Sequence, residues 1–163
     1  NIPKKCPIQI PLNLAGVVLQ VAVFDVSKAI EILKNLGHIS GNVTEEDLTP
    51  VKNRLDFAKK WLEEFVEENS QYRFQLVDKP EYQPTEKERK AFIQLADLLE
   101  QKRYDEKALF EEFYNICTEN DIKNTDFFKA AYMTLINKEK GPKLAPFMLT
   151  IGQKKVADIL RML

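Results

Sequence analysis

Lys154 and Lys155 stand at the start of a predicted helix, where the helix dipole disfavours cations. Helix stability does not account for them. A polyanion held jointly by the lysines and the free backbone N–H groups of that end would. They belong to a basic end. From Asn120 to Leu163 eight Lys or Arg stand against four Asp or Glu, a net +4, whereas Thr44 to Glu119 carries 12 against 19, a net −7. That asymmetry suits a polyanion at the basic end, and an ordinary solvated surface is the plain alternative. Other reactive types do not assemble. His38 is the only histidine, and neither Cys6 nor Cys117 has a neighbour at metal-ligand spacing, so a zinc site is not expected. No Ser or Cys nucleophile has a histidine beyond His38 to activate it. Glu63, Glu64, Glu67 and Glu68 pair carboxylates, but on one helix end they read as a solvated face.

The 163 residues, 44% hydrophobic and 30% charged, suit one domain or two small ones with a real core. No apolar run approaches the ~20 residues that span a bilayer, so no membrane partner is expected. Two distant cysteines fit a reduced, cytoplasmic protein with Cys117 in the core. A chain that begins with Asn1 and not Met is expected to be a fragment of a longer one.

The elements that carry these residues read as helices throughout. Pro3, Pro7 and Pro11 imply an extended lead-in over residues 1–11. Leu12, Ala15, Leu19 and Ala22 then form a helical stripe, with Gly16 a place for close helix packing. Ser27 is expected to cap a helix from Lys28 to Leu36 that stops at Gly37, leaving His38 a helix-end residue. Thr44 and Asp47 form a capping box for a long helix reaching about Asn69, with Pro50 in its first turn or at a kink and Trp61 beside the seam. Tyr72, Phe74 and Leu76 alternate with polar residues, and Pro80 and Pro84 forbid a long helix, so residues 70–84 read as a connector. Thr85 with Glu88, then Asp105, then Thr125 cap three further helices, and Asn120 suits a helix end. The third buries Phe128, Ala131, Tyr132 and Leu135 and stops at Gly141-Pro142. A short helix from Leu144 and a last one carrying Val156, Ala157, Leu160 and Leu163 make five. The expected architecture is all-α. It has a helical subdomain over 1–69, a linker over 70–84 and a five-helix unit over 85–163.

Gly141, Pro142, Pro146, Phe147, Gly152, Val156 and Leu160 fall in a pattern that resembles the carboxyl-terminal end of class I lysyl-tRNA synthetases; glutamyl-tRNA synthetases close on a looser version. The runs from Asp126 to Pro142 and from Ile10 to Ala22 are similar to the same family. Neither nucleotide-binding signature of that family, His-x-Gly-His or Lys-Met-Ser-Lys-Ser, is present, and no glycine-rich phosphate loop replaces them. The resemblance therefore implies the helical anticodon-binding cage. The catalytic domain of the same chain would lie upstream, and ATP would be a cofactor of the parent enzyme and of no site in this fragment. The implied partner is lysine tRNA through its anticodon stem-loop. Such a loop is held by aromatic stacking and edge hydrogen bonds, its phosphates by cations and helix N-termini. The residues offered for this are Phe127, Lys129, Lys138, Lys140, Lys143, Gln153, Lys154 and Lys155. Phe127 has core packing as its alternative and Lys129 a solvated surface. A glutamyl-tRNA synthetase cage, or a helical protein-interaction module using the Glu63–Glu68 end, are the other readings; RNA affinity and the identity of the bound tRNA separate them.

Overall fold

A computed structural model describes residues 8–40, 42–67 and 73–163, which are helical with no strand among them. Cys6, Glu68, Asn69, Ser70, Tyr72 and the lead-in over 1–7 lie outside the described residues. The chain divides into two compact units, 1–73 and 74–163.

The first unit holds α1 (Leu12–Val21), α2 (Val26–Asn35) and α3 (Glu45–Phe65), with α1 packed on both others. Its core joins Ala15, Val18 and Leu19 of α1, Ile30 and Leu33 of α2, and Val51, Leu55 and Ala58 of α3. The Thr44–Asp47 capping box is made in both directions, at 3.2 and 3.1 Å. Pro50 falls in the second turn of α3, which continues through it. The expected cap of α2 moves: Asp25 accepts from the Lys28 N–H at 3.2 Å, and Ser27 lies inside the helix. Asp25 reaches that place because Val23 and Phe24 both turn left-handed, with φ of 54° and 61°. For a β-branched residue this conformation is strained. Gly37, φ 84°, ends α2 as expected, with His38 exposed beyond it. A Cβ at Gly16 would meet Trp61 and Leu62 at an ordinary 3.7 Å, so close packing does not require glycine there.

The second unit holds α4 (Glu86–Gln101), α5 (Glu106–Glu119), α6 (Asn124–Ile136), α7 (Leu144–Ile151) and α8 (Gln153–Arg161), with the most extensive packing between α4 and α8. Residues 74–84, expected as a linker, pack into this unit. The Phe74 ring meets Phe147 edge-on at 4.9 Å, and the Val77 N–H donates to the Leu135 carbonyl. Thr85 and Glu88 form their capping box, and the Tyr82 hydroxyl donates to the buried Glu88 carboxylate at 2.6 Å. Partial burial and that carboxylate push the Tyr82 hydroxyl up to about 12. Asp105 caps α5 through the Ala108 N–H. Asn120 closes α5, and the left-handed residue is its neighbour Asp121, φ 53°.

Two expectations for α6 are corrected. It starts at Asn124 behind Lys123 with no side-chain cap, so Thr125 lies within its first turn. It ends at Asn137, left-handed with φ 55°, four residues before Gly141. The short apolar helix α7 begins at Leu144, as the Pro146 first-turn argument requires. Gly152, φ 107°, makes the sharp break into α8 that residues with a Cβ rarely adopt.

Candidate nucleic-acid interface

Where α5, α6 and the start of α7 meet, the second unit carries an open groove of about 730 Å³. Phe110 of α5, Phe128 and Tyr132 of α6, and Leu144, Ala145 and Pro146 of α7 line it, with Glu106, Lys107 and Lys143 as its charged lining residues. Each helix contributes for a local reason. The core stripe of α5 is Leu109, Phe113, Ile116 and Cys117, so Phe110 falls beside it and is 43% exposed. Tyr114, one turn on and 40% exposed, meets the Phe110 ring edge-on at 4.9 Å. The Phe128 ring runs nearly parallel to that of Phe110, 18° apart with centroids 6.4 Å distant. Tyr132 donates its hydroxyl to the Pro142 carbonyl at 2.5 Å, and burial raises its pKa, so it remains a neutral phenol.

Lys143 is the N-cap residue of α7, and no side chain caps that end. The positive end of a helix dipole therefore adjoins Lys143 and the aromatic wall, with N–H groups on Leu144 and Ala145 in that first turn and none on Pro146. Flat apolar faces beside cations and free N–H groups can hold an unstacked base by its ring and the neighbouring phosphate by its charge.

The residues expected to bind nucleic acid are placed unequally. Of them the groove takes Lys143 alone. Lys140 is exposed, Lys138 partly buried, both in the α6–α7 turn. Lys129 is exposed and pairs with Glu139 at 3.4 Å. Lys154 and Lys155 are exposed in the first turn of α8, outside the groove lining. Phe127 is corrected: it has no exposed surface, and its ring sits among Phe92, Phe113 and Phe128 with centroids 5.4 to 6.0 Å away. A base cannot reach it. Gln153 also serves the fold. Its amide donates to the Leu99 and Lys102 carbonyls at 2.9 and 2.8 Å and accepts from the Tyr104 N–H at 2.9 Å. At the other end of α8, Arg161 donates to Asp97 at 2.6 Å and Glu100 at 2.9 Å, holding the Glu100 carboxyl below the usual carboxylate range.

Phe110, Tyr114, Glu106 and Lys107 were not among the residues expected to bind. A signal for the two aromatics was present: they stand at i and i+4 on α5, off the apolar stripe, where nothing in the helix needs them. Among the described residues no group of three or more His, Cys, Asp or Glu could hold a metal ion, and no helix is long and apolar enough to cross a membrane.

Comparison with known proteins gives this groove its context. A family model described as an anticodon binding domain matches residues 27–162. A protein named lysine–tRNA ligase from Thermococcus kodakarensis is 28% identical over 164 residues, covering 99% of this chain and 31% of its own length. One of the same name from Pyrococcus horikoshii is 30% identical over 98% of the chain and 31% of its own length. Another, from Borreliella burgdorferi, is 32% identical over 91% of the chain and 28% of its own length. The chain thus spans about three tenths of the length of the curated relatives it matches.

Proposed function

Because the chain belongs to the anticodon binding domain family, we propose that it holds the anticodon arm of a lysine tRNA as part of a cytoplasmic lysine–tRNA ligase. In this reading bases leave the loop stack and lie against Phe110, Phe128 and Tyr132. Lys143, Lys107 and the uncapped start of α7 take the phosphates between them. Lys138, Lys140, Lys154 and Lys155 add the longer-range attraction that draws the arm in. ATP-dependent attachment of lysine belongs to a catalytic domain elsewhere in the same longer chain. This chain lacks both adenylate-forming signatures, so it is expected to give no lysine-dependent pyrophosphate exchange alone.

The observation that carries the reading is the pair of half-exposed aromatics, Phe110 and Tyr114, beside a lysine-flanked groove in a chain of this family. Binding of an isolated lysine tRNA anticodon stem-loop, followed by fluorescence anisotropy, tests it. Phe110→Ala is expected to cost about 1–3 kcal/mol of affinity with the salt slope unchanged, because a stacking contact releases no counterion. A stem-loop with the glutamate anticodon is expected to bind more weakly. Preference for that loop would move the reading to a glutamyl-tRNA synthetase cage, and no affinity for either would leave a protein-interaction module.

A further inference from the structure

The turn from Asn137 to Lys143 carries Lys138, Lys140 and Lys143 and delivers α7 to the groove. Three features fix its path. Asn137 ends α6 in the left-handed conformation. The Tyr132 hydroxyl donates to the Pro142 carbonyl at 2.5 Å. Gly141 lies close against the ring of Tyr132 and the end of Ile136. A Cβ at that position would lie 2.9 Å from Ile136 Cδ1 and 3.0 and 3.1 Å from Tyr132 Cδ1 and Cε1. The Ile136 methyl, at the end of a flexible side chain, can turn aside, but the two ring contacts are tighter than ordinary packing, so with a side chain there the turn or the Tyr132 ring must give by a few tenths of an ångström. Gly141 does not share the left-handed φ of Gly37 and Gly152, so its role is clearance and not backbone freedom.

Tyr132 thus meets the turn and the groove at once: it lies against Gly141, anchors Pro142, and lines the cavity beside Lys143. We infer that Gly141 is a positioning residue, which acts through Tyr132 to set Lys143 and the start of α7 against the groove and so governs how tightly it holds a nucleic-acid strand. This rests on the groove being the base-holding site. Gly141 touches no ligand in this account. It determines where the groove's cation and free N–H groups stand.

The test uses the whole chain with Gly141→Ala, Tyr132→Phe and Phe110→Ala, binding a lysine tRNA anticodon stem-loop at several salt concentrations. Thermal unfolding of each is measured alongside. Gly141→Ala is expected to bind about tenfold more weakly and to lower the salt slope by about one unit, the value for one lost phosphate contact. Tyr132→Phe keeps the ring and loses the anchor, and is expected to shift affinity and slope the same way by less. A residue that only supports the fold would lower the unfolding midpoint and leave the slope of the folded protein unchanged; that result overturns the inference. Should Gly141→Ala not fold, Tyr132→Phe decides alone, with wild-type affinity and slope counting against it. The two readings fail separately. If Phe110→Ala weakens binding and the turn variants do not, the positioning role falls and the groove stands. If Phe110→Ala binds as wild type, the groove reading itself falls.

Discussion

Phe127 and Phe110 lie on neighbouring helices of the second unit and are expected to respond oppositely to truncation. Phe127 is buried among three other phenylalanine rings, so Phe127→Ala leaves a cavity and is expected to cost about 3–5 kcal/mol of stability, read by chemical denaturation. Phe110, 43% exposed, has less packing to lose, and its truncation should show in binding instead. Tyr82 gives a pH-dependent case. Its folded pKa, about 12, lies above the ordinary tyrosine value of about 10, so the native state holds this proton more tightly. Stability from that difference is fully present below pH about 10 and is lost as pH rises towards about 12. Denaturation midpoints followed across that range should therefore fall less steeply in Tyr82→Phe than in the wild type.

At the scale of the elements, α8 is tied to α4 at both ends, by Gln153 in its first turn and Arg161 in its last. Gln153→Ala removes three hydrogen bonds and leaves the Leu99 and Lys102 carbonyls and the Tyr104 N–H to find water. An expected loss of about 1–3 kcal/mol in stability follows, with the salt slope of RNA binding unchanged. A changed slope with intact stability would return Gln153 to the binding surface. The helices themselves were legible because apolar residues recur at helical spacing, and Thr44, Thr85 and Asp105 cap as their neighbours suggest. Ser27 and Thr125 show where that legibility stops. Ser27 competes with Asp25 only two residues away, and the left-handed pair Val23–Phe24 decides between them; no propensity announces such a turn. The groove was less visible than the helices, since its walls come from three of them. Phe128 and Tyr132 read as core because a single stripe cannot say which of its residues a neighbouring helix leaves uncovered. Gly141 read as a helix stop, but what presses on that position is its closeness to Ile136 and Tyr132, which only the folded turn creates.

Over the whole molecule, the separation of charge makes a prediction that does not depend on the groove. The basic end from Asn120 to Leu163 carries Lys154 and Lys155, while Lys59 and Lys60 lie on α3 within the acidic stretch, Lys60 beside Asp56 at 3.3 Å. Reversing Lys154 and Lys155 to Glu is expected to weaken stem-loop binding and flatten its salt dependence, since a less basic end attracts the arm less and releases fewer counterions from it. Reversing Lys59 and Lys60 should do much less. Equal losses from both pairs would show that the arm is not held at the basic end. The dominant packing of the second unit joins α4 to α8, which are separated along the chain by the whole of α5, α6 and α7. On a ribosome, therefore, the three helices that build the groove are made before the helix that seals the core beneath α4. At about 5–20 residues per second, the buried face of α4 waits several seconds for its cover, an interval in which a chaperone can compete for it.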